Sequence, residues 1–232
     1  MKKIAVVIVA GLAAGSISVA NAAAGDSTVS VGYAQIHSGG LKNAVEHYGG
    51  LLNSASDNMA GEVGGTIPDG AFSAGADKYK DPRGINIKYR YEFDDNWGVI
   101  GSFTYAREKY DGHINLSEPS GDVSGSGKGS IKGDYFSLLA GPAYRVNDYV
   151  SGYAMIGLAK SKIKYSADYA YNDYGDSENG SYREDRSRTS FAYGVGLQFN
   201  PVKNIAIDVA YEGSGSGDWK TNGFNVGVGY TF

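Results

Sequence analysis

The chain contains no cysteine, which excludes disulfides, thiol catalysis and thiolate metal sites. Beyond the amino-terminal segment, no stretch approaches the roughly 18 consecutive apolar residues that a membrane-spanning helix needs. Histidine is scarce, and no paired acid, nucleophile or ligand spacing accompanies His37, His47 or His113. We therefore predict no catalytic residues, no metal, no cofactor and no enzymatic activity.

Positive charge is not in excess either. The formal net charge is −4, and removal of Lys2 and Lys3 with the amino-terminal segment takes it to −6. This mild acidity argues against a nucleic-acid partner. The amino-terminal segment itself, residues 1–22, combines the two lysines with an apolar run and an Ala20-Asn21-Ala22 cleavage pattern. It is predicted to be a signal peptide, with residues 23–232 as the mature domain.

The last ten residues alternate strictly between two kinds of side chain. Phe224, Val226, Val228, Tyr230 and Phe232 are apolar, and the residues between them are small or polar. Successive side chains of a strand point to opposite faces, so one face is apolar and the other is not. Behind a signal peptide, and repeated in other segments, this pattern is typical of a barrel whose outer face meets lipid.

Eight segments are predicted to be strands: residues 28–37, 84–93, 97–107, 133–146, 149–159, 189–200, 205–212 and 222–232. The alternation does not fix which face of the segment from Tyr149 points outward. Short turns at 94–96, 147–148 and 202–204 alternate with longer loops at about 38–83, 108–132, 160–188 and 213–221. The prediction is an all-β fold, an eight-stranded antiparallel transmembrane β-barrel with long extracellular loops, short periplasmic turns and periplasmic termini.

Several strand segments resemble a known family. They include Gly84-Ile-Asn-Ile-Lys-Tyr-Arg-Tyr-Glu92, Ala140-Gly-Pro-Ala-Tyr-Arg145 and Asp208-Val-Ala-Tyr-Glu-Gly-Ser-Gly-Ser-Gly-Asp-Trp219. The chain is similar to the Ail/Lom family of enterobacterial outer-membrane proteins, most of all to its phage-encoded Lom branch.

The resemblance implies an outer-membrane location, a monomer, and adhesion to host cells or matrix with resistance to serum complement. It also implies that Phe232 signals to the barrel assembly machinery. The alternative is a structural envelope protein of OmpX type without a dedicated ligand.

Charged residues recur on the inward positions of the predicted strands. An eight-stranded barrel encloses only enough room for its own side chains, so a packed, ion-paired interior is favoured over a pore or proton path. The predicted interior network consists of Lys88, Arg90, Glu92, Arg145, Asp208 and Glu212.

The third loop is the predicted binding site. Its basic residues lie at strand spacing on the two limbs of the loop: Lys160, Lys162, Lys164, Arg186 and Arg188. If both limbs continue as a hairpin, these cations converge on phosphates of lipopolysaccharide or on sulfated host glycans. The alternative is a solvated loop neutralised by its own acids.

The first two loops carry weaker signals. Leu41, Val45, Tyr48 and Leu52 repeat at helical spacing, which indicates either a short amphipathic helix or a solvated loop. If binding does not depend on the third loop, these four residues form the alternative apolar contact face. The glycine-rich segment 125–130 fails the phosphate-loop pattern and is predicted to be a flexible linker.

Overall fold

The computed structural model describes residues 24–62, 71–117 and 123–232. The predicted signal peptide therefore lies outside the described residues. Within them the chain forms a 24-residue helix α1 (Gly39–Glu62), a 3-10 turn at Gly217–Trp219, and nine strands. The strands are β1 (Ser27–Ser38), β2 (Phe72–Ala76), β3 (Arg83–Glu92), β4 (Trp97–Ser117), β5 (Val123–Arg145), β6 (Val150–Asp173), β7 (Asp176–Val202), β8 (Ile205–Ser214) and β9 (Thr221–Thr231).

Eight of the strands close into one antiparallel ring, in the order β1-β3-β4-β5-β6-β7-β8-β9. The first and last strands are neighbours, with Val31 opposite Val228, and β4 pairs with β5 to complete the circle. The predicted eight-stranded antiparallel barrel is confirmed. β2 is outside the ring and pairs with the far end of β4, an addition that the sequence did not predict.

The barrel wall has its apolar side chains outside. Leu138 is 68% exposed and Ile156 is 64% exposed, whereas Tyr153 and Met155 are buried inside. The phase of the strand from Tyr149 is thereby fixed. No described helix is long and apolar enough to cross a membrane.

Four strands continue past the ring. β3 pairs with β4 only as far as Arg107, and β8 pairs with β7 only from Ala192 onward. Beyond these points β2 pairs with β4, and β4–β7 pair with one another and form an extension of the ring. We call it the distal sheet: residues 108–117, 123–133, 163–173 and 176–190.

The distal sheet corrects two predictions. Most of the second and third predicted loops is strand, and the glycine-rich segment 125–130 belongs to β5 rather than to a flexible linker. The physical reason is pairing: β4 and β6 flank this segment and supply hydrogen-bond partners on both sides. The composition of segment 125–130, including its glycines, does not indicate which strands lie beside it.

Helix α1 covers the inner face of the distal sheet. Leu41 and Val45 are 2% and 3% exposed and pack with Tyr110, Ile131 and Ile163. The glycines of β5 provide the space, since a Cβ on Gly129 would lie 1.9 Å from Tyr48 Oη, and one on Gly133 2.3 Å from Leu41 Cδ2. Packing thus stabilises a helix that contains Gly49-Gly50.

The burial of α1 also tests whether its apolar residues form an external contact face, the alternative predicted from the sequence. Leu41 and Val45 face the protein and are not an external contact face. Tyr48 and Leu52 lie against Gly112 of β4, so they too point toward the sheet.

Candidate functional site

Two kinds of charged cluster stand out, one inside the barrel and one on its outer surface. Inside, Lys88 forms an ion pair with Asp208 and donates a hydrogen bond to Asn225. Tyr153 donates a second hydrogen bond to Asp208, at 2.7 Å from Oδ2. Lys88 and Asp208 are 2% and 1% exposed, so this cluster is part of the packed interior.

A second interior cluster lies on β3 and β5. Glu92 accepts a hydrogen bond from Arg145 Nη2 at 2.7 Å and forms an ion pair with Arg90, whose Nη2 is also 2.7 Å away. Glu212 has hydroxyl partners, with Tyr135 donating at 2.6 Å and Thr104 at 2.9 Å. The structure thus brings five of the six predicted interior residues into ion pairs, and Glu212 into a hydrogen-bonded site. These contacts fill the lumen and suit a structural role.

The outer surface carries a band of cations where the apolar wall ends. It begins just beyond Tyr105 and Phe136, whose rings are 4.7 Å apart. Cross-strand pairing sets Arg83 beside Arg107 and Lys109 beside Lys132. We call this band the cationic belt; its members are Arg83, Arg107, Lys109, Lys132, Lys160, Lys162 and Lys164.

Acids neutralise only part of the cationic belt. Asp134 lies under it, 6% exposed, 2.5 Å from Arg107 Nε and 3.6 Å from Lys164 Nζ. Asp185 forms an ion pair with Lys162, and the interaction with Lys162 lowers the pKa of the Asp185 carboxyl. Lys160 has no ion-pair partner among the residues that the structure describes.

Two further members of the cationic belt resemble Lys160. Arg83 and Lys132 have no ion-pair partner within the described ranges.

The sequence did not lead us to predict Asp134 as part of this site. The signal was present, because Asp134 lies two residues before the outward-facing Phe136 and therefore on the same face.

The five predicted binding residues do not converge on one surface. Lys162 is opposite Ser187 in the β6–β7 pair, and Arg186 is opposite Ile163. Adjacent positions of a strand point to opposite faces, so Arg186 and Arg188 project from the inner face of the hairpin. Lys160, Lys162 and Lys164 project from the outer face. The predicted hairpin exists, but its lysines and arginines are separated by the sheet.

Arg186 has its own partner on the inner face. Its Nε is 2.7 Å from Glu184 Oε1, and Tyr182 donates to the same carboxylate at 2.6 Å. The hydrogen bonds from Tyr182 and Arg186 lower the pKa of the Glu184 carboxyl. Arg188 has no ion-pair partner among the described residues.

A hydrogen-bonded latch closes the base of the first loop. Asp81 accepts from Gln35 Nε2 at 2.9 Å, and its other carboxylate oxygen is 2.9 Å from His37 Nδ1. Burial raises the pKa of the Asp81 carboxyl, but the hydrogen bonds from Gln35 and His37 outweigh it, and the net pKa lies below its ordinary value. Nearby, Ser38 N donates to Tyr79 Oη at 3.0 Å, and burial raises the pKa of Tyr79 to about 12.

No three histidine, aspartate or glutamate side chains of the described residues are close enough to hold a metal ion. An apolar outer wall around an ion-paired interior of eight strands defines the protein as an outer-membrane β-barrel.

Comparison with known proteins identifies the family. The profile described as "Enterobacterial Ail/Lom protein" matches residues 50–232. The chain is 36% identical to the attachment invasion locus protein of Yersinia enterocolitica over 210 residues, which cover 90% of this chain and 88% of that protein. It is 35% identical to the outer membrane protein lom of Escherichia phage lambda, over 99% of this chain and 98% of that one.

A solved structure agrees with the sequence relatives. Ail of Yersinia pestis, in complex with the heparin analogue sucrose octasulfate, is 35% identical to the chain. The superposition covers 90% of this chain and 99% of Ail, with a TM-score of 0.54. The chain belongs to the Ail/Lom family and is an outer-membrane protein.

Proposed function

We propose that the chain is a non-enzymatic surface protein that attaches the bacterium to host cells or matrix through anionic glycans. Resistance to serum complement is proposed as an associated property. Relatives named for attachment and invasion support this function, as does the PagC virulence membrane protein of Salmonella typhimurium, which is 40% identical over 70% of this chain and 86% of that one. A sulfated glycan analogue bound to Ail supports the ligand class.

The orientation follows from the two ends of the barrel. The short turns and both termini share one end, which we assign to the periplasm and its assembly machinery. The distal sheet then projects outside the cell. At about 3.3 Å per residue, the stretch of β6 from Lys160 to Asp173 reaches on the order of 40 Å beyond the barrel. That reach carries the hairpin past the lipid head groups.

The cationic belt is the observation that carries the ligand assignment. Its lysines and arginines form one surface across four strands, directly above the apolar wall, where phosphates of lipopolysaccharide lie. Phosphate and sulfate share the chemistry that Lys and Arg recognise. Lys160, Lys132 and Arg83 have no ion-pair partner among the described residues, so they are the cations most available to such a ligand.

The test compares two lysine sets with the same charge change. Lys160, Lys162 and Lys164 are changed together to Gln; the control changes Lys42, Lys78 and Lys80 of the first loop to Gln. Adhesion of expressing cells to epithelial cells, and of purified protein to heparin beads, is measured from 0.1 to 1 M salt. The belt variant should bind less and lose much of its salt dependence, since the Debye length falls from about 10 Å to about 3 Å over this range.

Two further arms distinguish the sources of the anion. Protein in bilayers with lipopolysaccharide, and in bilayers of phosphatidylcholine alone, is tested for heparin binding. Weaker heparin binding in lipopolysaccharide shows that the same lysines hold lipid phosphates.

A double Arg186→Gln, Arg188→Gln variant tests the inner face of the hairpin. Undiminished adhesion in the triple-lysine variant contradicts the proposal, and loss in the arginine variant alone moves the site to the other face.

A structural role of OmpX type is the second candidate. The packed, ion-paired interior favours it, because that interior stabilises a barrel whether or not the loops bind a ligand. Outer membrane protein X of Escherichia coli is 38% identical over 64% of this chain and 74% of that protein. Cells with and without the protein that adhere equally, but differ in envelope permeability, would favour this second function.

A further inference from the structure

Among the residues that the structure describes, one edge of the distal sheet has no neighbouring strand. β7 pairs with β6 from Asp176 to Phe199, but its pairing with β8 begins only at Ala192, opposite Ser214. Residues 176–190 of β7 therefore present an open edge, which contains no proline and no bulge in its pairing with β6. An open edge exposes backbone groups that can pair with another strand.

The backbone groups on that edge belong to alternate residues. Phe191 O accepts from Gly215 N on the β8 side, whereas Asn200 N donates to Tyr149 O on the β6 side. The N–H and C=O of a residue in an antiparallel strand point the same way, so odd-numbered residues face the open edge. From Ser177 to Thr189 these are the groups available to a partner.

Charges along the edge are ordered by sign. Asp176 and Glu178 lie near the tip of the hairpin, and Arg186 and Arg188 lie near its base. All four are on the inner face and exposed. Glu178 and Arg186 are equally distant from Tyr182 along the strand, and so are Asp176 and Arg188. The edge is thus complementary to a copy of itself turned end for end.

We propose that the open edge of β7 pairs antiparallel with the same edge of a second copy of this chain, centred on Tyr182. In that register Glu178 is opposite Arg186 and Asp176 is opposite Arg188, each pair occurring twice by symmetry. Glu184 is opposite Gly180, which leaves its bonds to Tyr182 and Arg186 in place.

The backbone agrees with the charges. In this register the odd-numbered residues of both copies face each other and form the hydrogen-bonded pairs. The even-numbered residues, which carry the charges, form the non-hydrogen-bonded pairs, where side chains approach most closely.

Neighbouring registers are unfavourable. Centres at Arg183, Glu184, Asp185 or Arg186 place a charge opposite its own copy. A centre at Ser181 places Glu178 opposite Glu184, and a centre at Gly180 places Asp176 opposite Glu184. Between Gly180 and Arg186, only the centre at Tyr182 avoids every like-charge pair. Like charges directly opposite destabilise a strand pair, so charge selects this register.

The strand direction places the two copies in facing membranes. Two barrels upright in one membrane would bring their β7 edges together in parallel, with Arg186 beside Arg186. Antiparallel pairing instead joins the tip of one hairpin to the base of the other. Eight residues separate Tyr182 from Ser190 near the barrel wall, so at about 3.3 Å per residue the two membranes lie on the order of 50 Å apart. Many weak pairs between two surfaces act together, so modest individual contacts suffice.

Vesicle clustering tests the register by charge exchange. The mature chain is reconstituted in phosphatidylcholine vesicles, and clustering is followed by light scattering. Glu178→Arg alone sets Arg against Arg, and Arg186→Glu alone sets Glu against Glu, so each variant should cluster at least tenfold less than wild type. Mixing the two variant populations restores opposite charges at every pair and should restore clustering. Arg183→Glu, which lies opposite Ser181, is the matched control and should cluster normally.

Failure of the mixed populations to recover, or equal loss in the Arg183→Glu control, overturns the proposal. A second measurement uses the absence of native cysteine. Opposite residues of a non-hydrogen-bonded pair have Cα atoms about 4.5 Å apart, within disulfide range. Tyr182→Cys should therefore cross-link between two differently labelled vesicle populations, whereas exposed Ser177→Cys, about 33 Å from its copy at 3.3 Å per residue, should not. Equal cross-linking of the two variants refutes the register.

Discussion

Removal of the Leu41 side chain should release helix α1 from the distal sheet without unfolding the barrel. Leu41 is 2% exposed and belongs to a cluster with Val45, Tyr110 and Ile131 that is separate from the interior cluster of the ring. Its side chain lies directly over Gly133, where no Cβ can fill the space that it leaves. The stabilisation lost with the Leu41 side chain is therefore that of the contact between α1 and the distal sheet.

The expected magnitude follows from the burial. Leu→Ala substitutions in packed sites cost about 2–5 kcal/mol, and a site at the rim of a sheet relaxes enough to favour the lower half, about 3 kcal/mol. Since 1.4 kcal/mol is about a tenfold change in an equilibrium constant, the undocked population of α1 should rise roughly 100-fold. Amide hydrogen exchange across Gly39–Glu62, measured in bilayers, reports that population directly.

Leu51 provides the matched control, because it lies on the same helix and is 56% exposed. Leu51→Ala should change exchange by no more than about twofold, as expected for a surface site within 0.5 kcal/mol. The heat-modifiable folded form of the barrel should be retained in both variants. Equal exchange in the two variants, or loss of the folded barrel with Leu41→Ala, would refute the docking argument.

Three further outcomes test other contacts. Arg90→Leu leaves Glu92 short of one of its two buried partners and should lower the urea unfolding midpoint of the barrel by the equivalent of about 3–5 kcal/mol, while a first-loop surface substitution should not. The pKa of the Asp81 carboxyl lies below its ordinary value of 3.8, so the bond between Asp81 and His37 stabilises the latch above about pH 3.8 and is lost as pH falls further. Amide hydrogen exchange of residues 77–82 should show this pH dependence, and Asp81→Asn should abolish it. Gly129→Val should raise exchange in α1 as Leu41→Ala does, because its side chain occupies the space of the helix.

The ring was predictable because each of its strands carries its own evidence. A strand between lipid and a packed lumen must alternate, whatever its neighbours are, so Phe224 to Phe232 specify a face without reference to the rest of the chain. The inward charges followed from the same alternation. Lys88 and Asp208 were expected inside, and the structure sets them side by side, but which acid each cation meets depends on strand order and register.

The distal sheet was not predictable in the same way. Its strands have water on much of their surface, so no single polarity marks either face. The glycines of 125–130 indicate flexibility when they are read alone. In the folded chain they leave space for Tyr48 and stay extended because β4 and β6 pair with them. A signal that depends on a helix eighty residues away is invisible to local reasoning.

The separation of the third-loop cations has an equally simple cause. Lys160, Lys162 and Lys164 occupy even positions of β6, and the register pairs even positions of β6 with odd positions of β7. The even-numbered Arg186 and Arg188 therefore fall on the other face. The sequence shows the spacing of the cations within each strand of the hairpin. Which positions of β6 and β7 share a face depends on the two-residue turn at Tyr174-Gly175.

The two proposed surfaces of the hairpin depend on one structural support. A sheet is stable when at least one face is covered, and outside the ring neither lipid nor a lumen covers the distal sheet. Among the described residues, the cover is supplied by α1, through Leu41 and Val45 packed on Ile131 and Ile163. Ile163 lies between Lys162 and Lys164 and opposite Arg186, so both the cationic belt and the open edge share this row. Undocking of α1 should thus weaken glycan binding and vesicle clustering together, whereas substitutions within either surface should affect only that one.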